Sequence, residues 1–304
     1  MKKLLLIGIL FALAACTSNK NGNAFMADEN QTFTINDISF EMIAVKGGTF
    51  MMGAQRTNPN GINYDTLAQD NEAPVHEVTL SDYYIGKHCV TVEEFSEFIK
   101  ETGYRTTADK KGGLILINRQ RSERVQGLNW QHGVDGKLRG EEENNHPVIF
   151  VSWDDAMAYC KWLKKKTGLN FCLPTEAQWE FAAKGGNLSK GYKYSGSDSL
   201  DDVAWYRYNS DGKTHPVCMK TPNELGIYDM SGNIDEWCYD WIDMYLPIAQ
   251  KDPVKAKRTS NSYNRVRRGG YYDSEEYGCR TTTRMNNGPE NGYNWVGFRV
   301  AISK

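Results

Sequence analysis

The sequence predicts a single domain that mixes helices and strands and contains little regular secondary structure. Three observations lead to this prediction. The chain has 28 glycines, 17 tyrosines and 8 tryptophans among 304 residues, which is typical of a loop-rich fold with many aromatic anchors. Three segments carry the punctuation of helices, and a few short segments alternate as strands do. No repeat of about 20–50 residues indicates a solenoid or a propeller, so we expect one domain.

The charge balance excludes a typical nucleic-acid binder. The chain carries 36 Lys and Arg against 38 Asp and Glu, a net charge of −2. A protein that binds nucleic acid usually shows a basic stripe and a high pI, so no nucleic-acid partner is expected. Charged residues make up 24% and hydrophobic residues 40%, which indicates a globular rather than a disordered chain.

Residues 1–15 are typical of a lipoprotein signal peptide. Lys2 and Lys3 precede an apolar stretch at 4–14, and eleven helical residues reach only about 16 Å, too short for a hydrocarbon core of about 30 Å. A basic start, an apolar run and small residues before a cleavage site describe a secretory signal. Leu13-Ala14-Ala15-Cys16 resembles the bacterial lipobox, whose cysteine is acylated; the alternative is an ordinary signal peptide with a chance cysteine.

The segment 16–35 is interpreted as the acylated Cys16 followed by a flexible tether, and 36–304 as the folded domain. The tether is rich in Asn, Ser and Lys and shows no apolar periodicity. The aspartate that commonly retains lipoproteins in the inner membrane is absent, because Thr17 stands at that position. We therefore expect a cell-envelope protein that is anchored by its lipid to a membrane, in particular the outer membrane.

Export changes the interpretation of the cysteines. Six remain besides Cys16, at positions 89, 160, 172, 218, 238 and 279. An even number in an oxidising compartment permits disulfides, but six cysteines allow 15 complete pairings and the sequence does not choose among them. Free buried cysteines remain an alternative for some of the six.

Three helices are predicted from their capping residues. The first begins at Thr91, with Glu94 completing a capping box, and ends at Gly103. The second begins at Ser152, has two aspartates in its first turn, and ends at Gly168. The third begins at Thr175, with Gln178 as its capping partner, and ends at 185–186.

Five alternating segments are predicted as strands: 40–52, 75–86, 148–151, 266–272 and 298–302. Nothing periodic appears from 185 to 223, where Gly, Ser, Asp and Asn are frequent. A long irregular stretch inside a domain is commonly held by a metal or by side-chain hydrogen bonds.

Nine motifs occur in a characteristic order. They are Val45 to Gly53 (VKGGTFMMG), Pro74 to Val78 (PVHEV), Tyr84 to Lys87 (YIGK), His146-Pro147-Val148 with Val151-Ser152-Trp153, Leu173 to Glu180 (LPTEAQWE), Gly226 to Asn233 (GIYDMSGN), Glu236-Trp237, Arg268-Gly269-Gly270 and Gly297-Phe298-Arg299. Together they resemble the formylglycine-generating enzyme (sulfatase-modifying factor) family over about residues 36 to 303. The resemblance implies a single compact α+β domain, related to C-type lectins, with low regular secondary structure and bound calcium.

The resemblance implies two calcium sites. The first would use Asp229, the carbonyls of Gly232 and Ile234, and Glu236. Two acids seven residues apart with a glycine between them agree with this, because calcium takes six to eight oxygens from carboxylates and carbonyls of one loop. The second site would use four residues of a loop that is shorter than in the characterised enzymes: Asp202, the carbonyl of Val203, Asp211 and the carbonyl of Lys213. The alternative is that these acids cap turns or face solvent.

The family's copper site is incomplete in this sequence. The characterised enzymes hold copper between two cysteines, five residues apart, shortly after the Gly-Gly pair. Here those positions are Ser274 and Cys279, and a serine does not replace a thiolate as a ligand of Cu(I). Tyr271 stands where the enzymes have serine, and its bulk would enter the same cleft. Copper is therefore doubtful, and Cys279 is expected to be a packed thiol or to form a disulfide, with Cys238 as the guessed partner.

Other family signature residues are expected to hold the fold. Trp153, Trp179 and Trp237 are interpreted as buried packing units with one donor each to satisfy. Arg284 and Arg299 are expected to tie loops together rather than to face a substrate.

Two functions from different classes follow. The favoured one is a non-catalytic binding or assembly protein with an envelope protein or peptide as partner, as the resemblance to envelope lipoproteins of the Bacteroidetes implies. The alternative is a copper- and oxygen-dependent oxidase that converts a sulfatase cysteine to formylglycine, or performs a related thiol oxidation. The segment 103–145 resembles the corresponding insert of enzyme-like members and supports this alternative. Catalysis in the family needs two cysteines, and one of them is missing here. This favours the non-catalytic binding or assembly protein.

Overall fold

The computed structural model describes residues 29–117, 122–259 and 262–303. The predicted signal peptide and Cys16 lie outside these residues. The helices are α1 (Val92–Thr102), α2 (Thr107–Lys111), α3 (Trp153–Thr167), α4 (Glu176–Ala183) and α5 (Leu200–Val203). Within the described ranges, no helix is long and apolar enough to cross a membrane.

The strands are short and form four sheets. They are β1 (Gln31–Ile35), β2 (Ile38–Val45), β3 (Gly48–Met52), β4 (His76–Leu80), β5 (Tyr83–Gly86), β6 (Gly113–Ile117), β7 (Ser122–Gln126), β8 (Phe171–Cys172), β9 (Asp235–Trp241), β10 (Gln250–Lys251), β11 (Arg265–Arg268), β12 (Met285–Asn287), β13 (Val296–Gly297) and β14 (Ala301–Ile302). The sheet orders are β1-β2-β5-β14-β8, β10-β4-β3, β12-β11-β9-β13 and β6-β7. The α+β class with low regular structure is confirmed.

The three predicted helices are confirmed with their caps. In α1 the Thr91 hydroxyl accepts from the Glu94 amide at 3.2 Å, and the Glu94 carboxylate accepts from the Thr91 amide at 2.7 Å. Ser152 caps α3 in the same way, and Gly168 ends that helix in a left-handed conformation with φ of 75°. Thr175 caps α4. Each pair satisfies two amides that the first turn of a helix leaves without partners.

Two of the predicted strands are interrupted by turns. The segment 40–52 forms β2 and β3, and 75–86 forms β4 and β5. Gly47 lies at the first break, where a Cβ would come within 2.3 Å of the Leu80 carbonyl oxygen. Only glycine permits this close approach of the two backbones, so the two turns pack against each other.

The predicted strand 148–151 is wrong. The amide of Val148 donates to the Val90 carbonyl at 2.9 Å, but Phe150 has φ of 60°, in the left-handed region. A bulky residue there ends an extended backbone, so the segment remains a buried connection rather than a strand.

The structure also corrects the end of the predicted tether. Residues 31–35 form β1, which pairs antiparallel with β2 from Gln31 opposite Met42 to Ile35 opposite Ile38. Ile35 is buried. The polar composition of this segment reflects an edge strand with one exposed face, so the folded domain includes residues that the sequence assigned to the tether.

Helix α4 is fully buried. All eight of its residues are buried, including Glu176 and Glu180. It packs beside β9 and β11, which carry further buried charges in Glu236 and Arg268. The loop of Ser274 and Cys279 follows β11, and the loop of Asp229 precedes β9, so this buried layer positions these two loops.

Candidate functional site

Ser274 and Cys279 lie on one loop that follows β11. The backbone leaves the strand at Gly269-Gly270, and the Ser274 hydroxyl accepts a hydrogen bond from the Tyr271 amide at 2.9 Å. The Ser274 amide in turn donates to the Tyr271 carbonyl at 2.8 Å. Ser274 therefore stabilises a tight turn, and its oxygen is already used in that turn.

Cys279 is a packed thiol rather than an open ligand. Its side chain is fully buried, in a cluster with Tyr194, Leu200 and Tyr206. A Cβ added to Gly270 would lie 2.9 Å from its sulfur, so the chain closes directly over it. Burial raises the pKa of the Cys279 thiol to about 12. Because the thiolate binds metals, the protonated thiol that prevails near neutral pH is a poor ligand.

The guess that Cys279 pairs with Cys238 is wrong. All six cysteines of the described residues are free. Cys238 belongs to a different core cluster, beside Ala177 and Val266. Of the two alternatives stated for Cys279, the structure supports the packed thiol.

Aromatic rings fill the space beside the loop. Tyr271 stacks on Trp295 with ring centres 5.4 Å apart and a 27° interplanar angle, and Tyr293 stacks on the same indole at 4.8 Å and 19°. All three side chains are partly exposed. Tyr271 thus belongs to a stack of three rings, and the prediction that its bulk enters a copper cleft stays a prediction.

The first predicted calcium site depends on the carboxylate of Glu236, a residue of β9 that is fully buried. Arg299 donates to both carboxylate oxygens, at 2.6 Å from Nε and 2.7 Å from Nη2. The Trp179 indole donates at 2.8 Å, and the Cys89 thiol donates at 3.2 Å. A carboxylate offers about four acceptor positions, so all of them are taken by protein donors.

A calcium ion does not fit this arrangement of Glu236. It would have to displace the Arg299 guanidinium, which also donates to the carbonyls of Gly86 and Tyr228, both at 2.9 Å. Asp229 is buried as well, and its Oδ2 accepts from the Cys218 amide at 2.9 Å. Burial raises the pKa of the Asp229 carboxyl. The carbonyl of Gly232 accepts from the Ile234 amide at 2.9 Å, so it also has a partner in the protein.

Within the described ranges, the four residues of the second predicted calcium site make no hydrogen bond or ion pair with one another. Asp202 and Asp211 are both exposed. Asp202 accepts from the Ser197 hydroxyl at 3.3 Å, and Asp211 lies in a left-handed turn with φ of 54°. In the part of the chain that the structure describes, no group of three or more His, Cys, Asp or Glu could hold a metal. Calcium binding by this loop, including the carbonyls of Val203 and Lys213, stays a prediction.

The tryptophans and arginines that were expected to hold the fold do so. Trp153 donates to the Cys238 carbonyl at 2.9 Å, and Trp237 donates to the Val151 carbonyl at 3.1 Å. Arg284 binds Glu176 through two nitrogens, at 2.6 and 2.8 Å. The indoles are therefore satisfied packing units, and the arginines connect distant loops.

The sequence reasoning missed a network of buried ion pairs around α4. Arg268 pairs with Glu180, which also accepts from Lys184 at 2.7 Å. Arg280 pairs with Glu72 at 2.6 Å, across more than 200 residues of sequence. One signal was available: Glu176 and Glu180 stand four residues apart in a helix whose other positions are mostly apolar. Such acids on a buried face require cationic partners.

Arg265 was also missed. Its guanidinium carbon lies 3.7 Å from the centre of the Trp153 ring and 3.8 Å from that of Trp241, so the cation is held between two indoles. Burial lowers the pKa of Arg265 to about 10, still well above neutrality. The side chain therefore stays charged and contributes cation–π contacts to the fold.

Comparisons with known proteins agree with the family resemblance of the sequence. The model of the sulfatase-modifying factor enzyme 1-like domain matches residues 28–304. The formylglycine-generating enzyme of Thermomonospora curvata is 31% identical over 300 residues, covering 87% of this chain and 94% of its own. The inactive Cα-formylglycine-generating enzyme 2 of Bos taurus is 30% identical, covering 88% and 89%. The structure of PvdO from Pseudomonas aeruginosa superposes with a TM-score of 0.69 at 26% identity, covering 90% and 98%.

Proposed function

The chain belongs to the sulfatase-modifying factor family, and on that premise we propose that it is a non-catalytic binding or assembly protein of the bacterial cell envelope. The relatives of this chain include both catalytic and non-catalytic members of the family: a formylglycine-generating enzyme and a protein that is named inactive. The residues at the copper positions therefore decide which kind is favoured.

The observation that carries the proposal is the state of these two positions. Cu(I) bound by two thiolates needs both sulfurs on one ion. Here the first position offers the Ser274 hydroxyl, which accepts from the Tyr271 amide. The second offers the Cys279 thiol, which is buried and has its pKa raised to about 12. A single protonated thiol should hold Cu(I) weakly, so oxidation of a client cysteine is not supported.

The ring stack beside this loop supports a binding role. Tyr271, Trp295 and Tyr293 are partly exposed and stack against each other. Aromatic side chains supply large contact area at little cost in conformational entropy, which suits the recognition of a peptide or a protein segment. We assign this surface to an envelope protein or peptide partner.

The anchor completes the proposal. The lipobox-like Leu13-Ala14-Ala15-Cys16 would place a lipid on the new N-terminus, and Thr17 favours retention in the outer membrane. The domain would then lie at the membrane surface, connected by the short polar segment that precedes β1.

The alternative is a formylglycine-generating oxidase. It is favoured by the identity of 31% with the Thermomonospora curvata enzyme over nearly the whole of both chains. In that case Cys279 would have to leave its packed position and act with a ligand other than a second cysteine of this loop.

A turnover assay separates the two functions. The reduced, purified domain is loaded with Cu(I) and incubated in air with a peptide that carries a sulfatase cysteine motif, beside a characterised formylglycine-generating enzyme as a positive control. Mass spectrometry follows the conversion of the thiol to the aldehyde. We expect no conversion by the wild-type domain and none by Cys279→Ser.

The variant Ser274→Cys is the matched control for the missing ligand. Conversion by this variant alone would support the proposal, because it would show a family site disabled by one residue. Copper-dependent conversion by the wild type that disappears in Cys279→Ser would overturn the proposal and establish the oxidase.

A further inference from the structure

The loop between β9 and β10 exposes three large apolar side chains. The exposed fractions are 78% for Met244, 43% for Leu246 and 56% for Ile248. Single apolar side chains on a surface are common in folded proteins, but three within five residues of one loop are a local concentration that needs an explanation. We call residues 244–248 the apolar loop.

The apolar loop is fixed to the core at Tyr245. This residue is buried, and its hydroxyl donates to the Glu176 carboxylate at 3.2 Å. Its ring centre lies 4.7 Å from that of His76 and 3.8 Å from the guanidinium carbon of Arg284. Arg284 also donates to the Asp243 carbonyl at 3.1 Å. The neighbours of Tyr245 are therefore exposed on a backbone that the core holds in place.

A basic segment, residues 251–258, follows the apolar loop. Its four basic residues are Lys251, Lys255, Lys257 and Arg258. Apart from the half-buried Lys255, they are exposed. The one acid of the segment is Asp252, so four charges minus one give residues 244–258 a net charge of +3, in a chain whose net charge is −2. The Asp252 carboxylate is engaged, because it accepts from the amide and the hydroxyl of Ser81, both at 2.7 Å.

The basic segment returns to the base of the apolar loop. The Trp241 amide donates to the Lys255 carbonyl at 3.0 Å. The Lys255 ammonium lies 3.9 Å from the Asp243 carboxylate, and Lys255 and Met244 line one small cavity together. The apolar loop and the basic segment are therefore neighbours in space as well as in sequence.

This combination of side chains suits a membrane that contains anionic lipids. Apolar side chains enter the boundary between headgroups and acyl chains, while lysines beside them reach the lipid phosphates through long flexible stems. Lysine is depleted in protein–protein interfaces, whereas lysines at a membrane surface are attracted by anionic headgroups. Three of the four basic residues are lysines, which favours a lipid surface over a protein partner.

We propose that residues 244–258 form a peripheral docking surface for anionic phospholipid membranes. Met244, Leu246 and Ile248 enter the bilayer interface, and the basic segment binds the headgroups. The surface uses none of the residues of the ring stack, and it does not depend on a lipid at Cys16. The inference rests on the envelope location of the proposed function and goes beyond it, because it assigns one face of the domain to the membrane itself.

Vesicle sedimentation tests the proposal. The purified protein contains residues 17–304, which include every described residue but neither the signal peptide nor Cys16. It is mixed with vesicles of phosphatidylcholine alone, or of phosphatidylcholine and phosphatidylglycerol in equal parts. We expect sedimentation with the phosphatidylglycerol vesicles and much less with the neutral ones. High salt should reduce it, because screening weakens the attraction between lysines and headgroups.

Two double variants separate the apolar and the basic contributions. Lys251→Gln with Lys257→Gln removes two exposed charges. Each basic residue near an anionic surface contributes a factor of about five to binding, so the loss of two should weaken binding about 25-fold. Leu246→Ser with Ile248→Ser removes apolar area that would enter the interface, and we expect it to weaken binding by about tenfold or more.

Matched controls change exposed residues elsewhere in the chain. Leu138 is 71% exposed, and Lys100 is an exposed residue of α1. Leu138→Ser and Lys100→Gln should sediment like the wild type, and equal melting temperatures would show that all variants are folded.

The wild type and the loop variants decide the outcome. A wild type that does not sediment with phosphatidylglycerol vesicles would overturn the proposal and leave the apolar loop to a protein partner. Undiminished sedimentation of both double variants would overturn it as well. The proposed non-catalytic function would stand in either case, because the turnover assay tests it independently.

Discussion

The buried pair of Arg299 and Glu236 allows a quantitative prediction about stability. Both side chains are 0% exposed, and the guanidinium makes four hydrogen bonds to oxygen: two to the carboxylate, one to the Gly86 carbonyl and one to the Tyr228 carbonyl. A fifth, at 3.8 Å, goes to the Cys89 sulfur. Replacing Arg299 by Met keeps most of the volume but leaves a buried carboxylate and two buried carbonyls without these donors. Breaking a buried pair in this way costs about 3–5 kcal/mol.

The measurement is urea unfolding of Arg299→Met, followed by tryptophan fluorescence. We expect the free energy of unfolding to fall by about 4 kcal/mol, a large part of the roughly 5–15 kcal/mol that stabilises an ordinary domain. The matched control is Arg56→Met, which removes an Arg from the exposed pair with Asp70, where the nitrogen and oxygen lie 2.8 Å apart. An exposed pair contributes at most about 1 kcal/mol, so this variant should unfold almost like the wild type.

A double variant isolates the charge. Adding Glu236→Gln to Arg299→Met removes the unpaired buried charge, so the double variant should be more stable than Arg299→Met alone. The reasoning would be refuted if Arg299→Met lost no more stability than Arg56→Met. It would also be refuted if the double variant were the less stable of the two.

Three further predictions concern the metal, the pH and the anchor. Because protein donors fill Glu236, any fall in melting temperature that excess chelator causes should come from the loop of Asp202 and Asp211 and should be absent in Asp211→Asn; a calcium-reversible fall that persists in Asp211→Asn would contradict this. Burial opposes ionisation of Glu180, but Lys184 and Arg268 outweigh it and lower the pKa of its carboxyl from 4.5 to about 2. This carboxylate therefore stabilises the fold above pH 4.5, and that contribution should be lost as the pH falls towards 2; urea midpoints measured across this range should fall less steeply in Glu180→Gln. Cys16→Ala should release the protein from the membrane fraction or leave it unprocessed, and retention after salt and carbonate washes would exclude the lipid anchor.

The sequence predicts well where the determinants are local. Helix α1 begins at the capping box of Thr91 and Glu94, as predicted. Helix α3 begins after Ser152 and ends at Gly168, again as predicted. Each of these ends depends on contacts within one turn of the helix. Counting from Gly269-Gly270 put Ser274, Cys279 and Tyr271 near one another, and the structure has all three on one loop after β11. The resemblance to a family extended this to the fold class, because its motifs occur along the whole domain.

The failures occur where distant contacts decide. Val148–Val151 has the composition of a strand, but Phe150 adopts a left-handed conformation. Calcium ligation by Glu236 was predicted from the resemblance, and no local signal shows that Arg299, 63 residues later, donates to both of its oxygens. The pair of Arg280 and Glu72 is 208 residues apart. No periodicity or capping signal encodes such partners, since they depend on how the loops fold back onto α4.

The position of β14 in its sheet has a consequence for how the protein folds. Ala301 and Ile302 pair with β5 on one side and β8 on the other, while β1, near the start of the described chain, lies at one edge of the sheet. The centre of this sheet therefore joins strands that are more than 200 residues apart in sequence. The entropy of closing so long a loop must be overcome before these pairings can form, so we expect slow folding of the sheet and early loss of the whole sheet when the pairing of β14 is broken.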